Sequence, residues 1–451
     1  MMSFYEWRCR QMDTSAAMDW LKDKRMLTDR LLFYACLGAF FAMPLGNAPM
    51  TFFGILAALI WLFSGKAYHQ RHIYIRHSWS WPIILLMILP WVGLLYSPDL
   101  TGLGIKYAKK THYWVYGLAV AAIAFKNFRS KQLVHAFIAG LAINSITAMV
   151  QLGIILIRGD ALGNDLGVGS GYSTMSAYLV LGIMVSAFYF KEVKDNRRRF
   201  YLCLLMGLFI MHLIMMKGRN GYFTFIVLLP LIIVQLVKRM KFLKILLAYG
   251  LIIGLAALSP AVRDQATLTV TQIKAHIKAP VEAGWGKDYI AGEERLWIFS
   301  NAFGVFKQHP VFGVGTGGFQ TVVKQNSKSD WPLLRHPHNN FLYMAVSFGI
   351  VGVLALTWLF WELLKNSWPQ RKTVTGYFVF SSALVIFVSG ILNCQILNAG
   401  TAFLLAVTAG LQEAFPQFSS PVSMEIARVL PESKPSDVIP NPDKPEPNRI
   451  F

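Results

Sequence analysis

The chain has 451 residues, 55% of them hydrophobic and only 15% charged, with a mean hydropathy of +0.45 and a net charge of +20. Soluble domains carry about 25% charged residues, so the composition excludes a soluble nucleic-acid-binding protein, which the charge alone would suggest. The apolar residues fall in long blocks, and about 20 such residues suffice for a helix to cross a bilayer.

Taken in order, the blocks predict about twelve transmembrane helices, near 31–48, 50–64, 81–97, 112–126, 132–157, 172–190, 200–216, 221–237, 242–259, 339–364, 374–391 and 395–415. The first begins too far in for the apolar core of a secretory signal, and no small-residue cleavage site follows it, so it reads as a retained helix. The second and fourth are short, as expected of tilted or re-entrant segments. Basic residues set the orientation: with the N-terminus inside, cytoplasmic segments hold 28 of the 43 Lys and Arg, including the short runs "KEVKDNRRR" and "KRMK". Basic residues collect in short cytoplasmic loops, so both termini are expected in the cytoplasm.

The expected organisation is an all-α polytopic membrane protein. Nine helices occupy 1–259, a large extracytoplasmic loop 260–338, three helices 339–415, and a Pro- and Ser-rich cytoplasmic tail 416–451 reads as disordered. The long loop should carry amphipathic helices that lie on the membrane surface as a lid. In "ERLWIFSNAFGVFKQHP", Leu296, Phe299, Phe303 and Phe306 recur at helical spacing and Pro310 stops the helix. The four cysteines form no CxxC metal pattern or disulfide framework.

Four outward stretches could carry chemistry. In "MMKGRNGYF", Arg219 sits between Gly218 and Gly221, which would let a large anion approach the backbone; a snorkelling arginine is the alternative. Arg295 starts the loop helix, where it either pairs with Glu293 or folds back towards Arg219 as a multi-donor clamp for phosphate oxygens. "HPVFGVGTGGF" is Gly-rich but lacks the Lys-Ser/Thr of a nucleotide loop and reads as a tight turn closing the lid. In "RHPHNNFL", Asn339 or Asn340 caps the following helix. There His338 is either an interfacial helix-start residue or a proton acceptor kept neutral by the helix N-terminus. Arg335 and His336 have no evident role. Lys106, Lys109, Lys110 and Lys217 add positive charge to the same side, and no Asp-x-Asp-type metal motif accompanies them. A cation-lined, metal-free outward cavity calls for an anionic outer-leaflet substrate with a hydroxyl to deprotonate.

In order and sidedness, "KGRNGY", "RLWIFSNAFGVF", "PVFGVGTGGF" and "HNNFL" resemble the O-antigen ligase/polymerase (Wzy_C-type) superfamily. The motifs cover about 217–223 and 293–342, and Trp297 lies nearer Arg295 than in many members. The resemblance implies a bacterial inner-membrane glycosyltransferase with a GT-C-like fold, a large periplasmic loop and no cofactor. Its donor would be a glycan on undecaprenyl pyrophosphate and its acceptor the lipid A–core oligosaccharide. On that resemblance His338 is the general base, and Arg219 and Arg295 hold the pyrophosphate. Lys217 and Lys110 are neighbouring phosphate contacts. Polymerases and protein O-oligosaccharyltransferases share this chemistry; the chain length, cytoplasmic tail and "HNNFL" favour a ligase. A transporter of the same lipid-linked glycan would need ionisable residues near mid-membrane, where only exceptions such as Gln151 and His212 occur.

Overall fold

A computed structural model describes residues 14–69, 77–124, 127–159, 166–169, 171–216, 218–237, 294–326 and 335–416, with single positions between 247 and 274. The described residues are helical and contain no strand. Long helices satisfy their own backbone groups, which is what a bilayer core demands. The first eight are α1 (Thr14–Ala42), α2 (Asn47–Phe63), α3 (Ser80–Val92), α4 (His112–Ala124), α5 (Asn127–Arg158), α6 (Tyr172–Glu192), α7 (Asn196–Met215) and α8 (Arg219–Leu236). The loop contributes α9 (Glu294–Gln308) and α10 (Phe319–Asn326), followed by α11 (Asn340–Gln370), α12 (Val374–Leu392) and α13 (Ala399–Leu411).

Among the described residues, six helices are long and apolar enough to cross a membrane: α5, α6, α7, α8, α11 and α12. Asn47–Phe63 and Ser80–Tyr96 are shorter apolar helices. The blocks expected near 112–126 and 395–415 contain helices of only 13 residues, α4 and α13. At 1.5 Å per residue each is about 20 Å long, less than the ~30 Å hydrocarbon core. The block expected near 242–259 and the tail beyond 416 lie outside the described residues apart from single positions.

α4, which continues without a break from the helical turns at 105–111, packs against α13 inside the bundle. A Cβ at Gly117 would collide with the Ala406 carbonyl, and one at Gly410 with the Gly117 carbonyl. The two backbones therefore touch, the close approach that small residues permit in membranes. α6 is also central: every residue from Ser173 to Phe188 is buried. By contrast Ile143, Ile146, Val150, Ile154 and Ile157 on α5 are exposed, which suits a helix facing lipid.

The two mid-span polar residues hold irregular backbone. Gln151 accepts from the Gly167 N–H (2.7 Å), and His212 donates from Nε2 to Leu166 O (3.1 Å) while Nδ1 faces Ser145 Oγ (3.1 Å). Asn144 accepts from Val168 N (2.9 Å) and donates to Val168 O (3.1 Å) and Pro44 O. The non-helical strip Leu166–Gly169 is thus packed between α5, α7 and the turn after α1. Non-helical backbone survives near a bilayer only when protein satisfies it. Gln151 and His212 therefore have a structural task.

Candidate active site

The site is built around the start of α11. Asn339 is its N-cap, accepting from Phe341 N (2.8 Å) and Leu342 N (2.9 Å), while its Nδ2 donates to Ile391 O (2.8 Å). Asn340 is buried and does other work: its Oδ1 accepts from Ile396 N (3.1 Å). His338 precedes this cap with φ +48, the one positive-φ residue other than glycine among the described residues. Left-handed backbone is uncommon for a residue with a Cβ and points to surroundings that hold it there.

His338 shares this corner with His336, and Lys110 and Arg335 act on His336 there. The His336 ring lies against that of His338, with centroids 4.5 Å apart and the planes tilted by 57°. Burial, first, and then His338, Lys110 and Arg335 push the His336 pKa down to about 3, so His336 is neutral. The Tyr107 hydroxyl donates to Arg335 O (3.4 Å), and the Lys110 ammonium lies 5.5 Å from the Tyr107 ring centre. Burial and then Cys394 raise the Tyr107 pKa, which keeps the phenol protonated. The nearby carboxylate, Asp99, is occupied in capping the turn at 100–104, where it accepts from Gly102 N and Leu103 N.

The linker between α12 and α13, residues 393–398, ties this corner to the rest of the bundle. Lys110 Nζ donates to Leu397 O, Asn340 receives Ile396 N, and Asn393 Nδ2 donates to Ser173 Oγ at the start of α6. Gln395 Nε2 reaches the same Ser173 hydroxyl (3.3 Å). Burial lowers the Lys110 pKa, with Cys394 raising and Lys106 lowering it. Lys110 was expected as a phosphate contact, yet its ammonium is engaged by a carbonyl, so it braces the linker at least as directly. A small cavity of about 50 Å³, with room for little more than water, lies beside it between Tyr107, Thr111, Trp114 and Tyr343.

Arg219 opens α8 and is half-buried, one residue after the N-cap Gly218. A Cβ on Gly221 would sit 2.6 Å from Ser176 Cβ, and one on Gly218 3.2 Å from the Tyr172 ring. These glycines seat α8 against the start of α6. Arg219 consequently lies where α8 meets the α6 start that Asn393 and Gln395 also hold. Lys217 falls outside the described residues.

Arg295 lies in the first turn of α9 and is half-buried. The packed face of α9 is Trp297, Ile298, Ala302 and Val305, against Val314, Phe319, Val323 and Val346, with Leu342 at the margin. The predicted stripe is therefore rotated: Phe303 is 50% exposed, and Lys307 Nζ lies 4.7 Å from the centre of its ring. The packed face includes a large aromatic, Trp297, together with smaller side chains, and Phe299 borders it. Pro310, just past α9, accepts from Ile350 N (2.8 Å). With Trp297 and Ile298 in the cluster that includes Leu342 and Val346, α9 runs alongside the first half of α11.

The Gly-rich run is a turn, as its residues suggest, but it plugs a broken helix. α11 breaks at Gly349 (φ 62, ψ −150), which frees carbonyls 346 and 347. Val314 N donates to Val346 O (2.8 Å) and Gly315 N to Ser347 O (3.0 Å), so the turn repairs the break. Thr316 then fastens the turn to the end of α3 through Gly93 O (3.1 Å) and Pro90 O (2.6 Å). Its N–H groups are spent on protein carbonyls, leaving none in that pair for a phosphate.

Among the described residues, no group of three or more His, Cys, Asp or Glu could hold a metal ion. Residues 204–357 match the family model described as O-antigen ligase (Wzy_C). That segment contains Arg219, Arg295 and His338, and leaves out Lys110. No curated protein sequence matches the chain.

Proposed function

We propose that this membrane protein, whose residues 204–357 match the O-antigen ligase family model, is an O-antigen ligase acting at the periplasmic face of a bacterial inner membrane. It moves a glycan from undecaprenyl pyrophosphate to the lipid A–core oligosaccharide. The observation that carries this reading is that the matched segment holds His338 in an unusual backbone conformation within a cationic corner.

In the reaction, the imidazole of His338 takes the proton from an acceptor hydroxyl as that oxygen bonds to the anomeric carbon of the donor sugar. The carbon–oxygen bond to pyrophosphate breaks, and the lipid pyrophosphate leaves with the electron pair. A single displacement inverts the anomeric configuration. Arg219 and Arg295 bind the pyrophosphate oxygens and stabilise the charge that develops there. Pyrophosphate is a good leaving group, so the step requires neither a metal nor an acid. Lys110 contributes positive charge while bracing residues 393–398, and Lys217 is a further phosphate contact. Both termini and the 416–451 tail are cytoplasmic, and 260–338 forms the periplasmic loop. The polymerase reading uses the same residues with a lipid-linked glycan as acceptor.

The test is transfer by purified protein in lipid nanodiscs, with lipid-linked donor and either lipid A–core or a second lipid-linked glycan as acceptor. Product on lipid A–core, without an energy source, supports the ligase; product only on the lipid-linked glycan replaces it with a polymerase. His338→Ala should reduce transfer by about 100-fold or more, the scale of a lost general base. Wild-type turnover by that variant removes the base assignment.

A further inference from the structure

His336 is one residue beyond the reading above, and the geometry gives it a task. We propose that His336 is a positioning residue: its neutral Nδ1 accepts the His338 backbone N–H and its ring backs the His338 ring, holding that imidazole in its working orientation. This rests on His338 being the base.

Three observations support it. The His338 N–H lies 3.4 Å from His336 Nδ1, a long bond that closes a turn from a side chain to the N–H two residues on. Asn and Asp form the same turn. Pro337 lies between the two histidines and is buried, with φ restricted by its ring, and proline also biases the preceding residue to extended backbone. The backbone at His338 is left-handed, a conformation that needs external support in a residue other than glycine. The cap at Asn339 fixes the chain immediately after His338. The acceptor bond and the ring contact fix it immediately before.

Burial first maintains the acceptor by disfavouring an imidazolium at His336, and His338, Lys110 and Arg335 add to it. With the pKa at about 3, Nδ1 keeps its lone pair throughout the neutral range, and the proton resides on Nε2. Protonation would turn Nδ1 into a donor facing a donor and open the turn.

The experiment compares His336→Ala, His336→Phe and His336→Asn in the nanodisc transfer assay, read on monodisperse protein. Alanine and phenylalanine lack the acceptor and should lower kcat by on the order of 10- to 100-fold with the donor KM unchanged, the scale of a misplaced catalytic group. Asparagine restores the acceptor and should recover kcat to within about threefold of wild type. Its acid limb in kcat/KM should stay at the wild-type pH, because His336 does not titrate there. Wild-type kcat in the alanine variant, or in the phenylalanine variant if it folds, overturns the proposal. So does an asparagine variant as inactive as alanine, which would make the imidazole itself a reacting group, and so does a displaced acid limb. His338→Ala at the wild-type rate is a separate result: it removes the base, whatever the His336 variants do.

Discussion

Asn339 satisfies three backbone groups with one side chain, two N–H groups of α11 and the Ile391 carbonyl. Asn339→Ala should therefore cost about 1–2 kcal/mol of stability, as lost caps do, read as a lower melting temperature in detergent. Asn339→Asp, which keeps the cap acceptor and loses the donor to Ile391, should fall between. His336 gives a second prediction at this scale. Its pKa in the folded chain, about 3, lies below the ordinary value of 6.5. Between those values the unfolded chain binds a proton that the folded chain does not, so stability falls as pH drops below about 6.5. Acidification from pH 7 to 4.5 should lower the melting temperature of wild type more than that of His336→Asn; an equal decrease removes the linkage. The sequence places a cap at Asn339 or Asn340 without choosing. The choice needed the 393–398 linker, whose Ile396 N–H claims Asn340.

At the scale of elements, α11 is two helices joined by Gly349 and repaired by the turn at 313–315. A Cβ on Gly349 would collide with the Val311 carbonyl, and one on Gly313 would lie 2.5 Å from the backbone at Ser347 and Phe348. Both residues also have positive φ, +62 and +67. Gly349→Ala combines strain of about 1–3 kcal/mol with this collision, so purified yield and melting temperature should both fall. An unchanged melting temperature would mean that the break is not needed. The sequence shows α11 as one uninterrupted apolar block, because the carbonyls freed by the break are bonded by residues some 30 positions upstream. In α9 the helix and its stop at Pro310 were legible from spacing. Its packed face was not: Ala302 is buried in the cluster that holds Val346, while Phe303, the more hydrophobic of the two, is 50% exposed.

At the scale of the molecule, the two ends of the bundle differ in chemistry. One end gathers the starts of α6, α8 and α11, Lys110 and the 393–398 linker. The other carries a buried polar clasp: His77 Nδ1 lies 2.9 Å from Glu413 Oε2, and Ser78 Oγ donates to Glu362 Oε2 (2.5 Å). Asn366 donates to Glu362 (3.2 Å) and to Gln412 (2.9 Å), joining α11 to the end of α13. The topology proposed for these ends can be checked with single cysteines in a cysteine-free background. A cysteine at Lys307 should react with an impermeant thiol reagent in intact spheroplasts. One at Lys365 should react only after permeabilisation. The reverse pattern would place the His338 end in the cytoplasm and end the periplasmic reading.

The sequence by itself determined the helical membrane class, most helix positions and the order of the motifs. Apolar block length and basic-residue bias are local, additive properties that a bilayer reads directly. Only the tertiary structure decided which polar residues brace the fold. Gln151, His212, Asn340 and the Gly221 backbone were spoken for by distant segments, and Lys110 was shared between a carbonyl and its charge. His336 went unassigned in the sequence because its partner is a backbone N–H two residues away, in a conformation that residue identity does not encode.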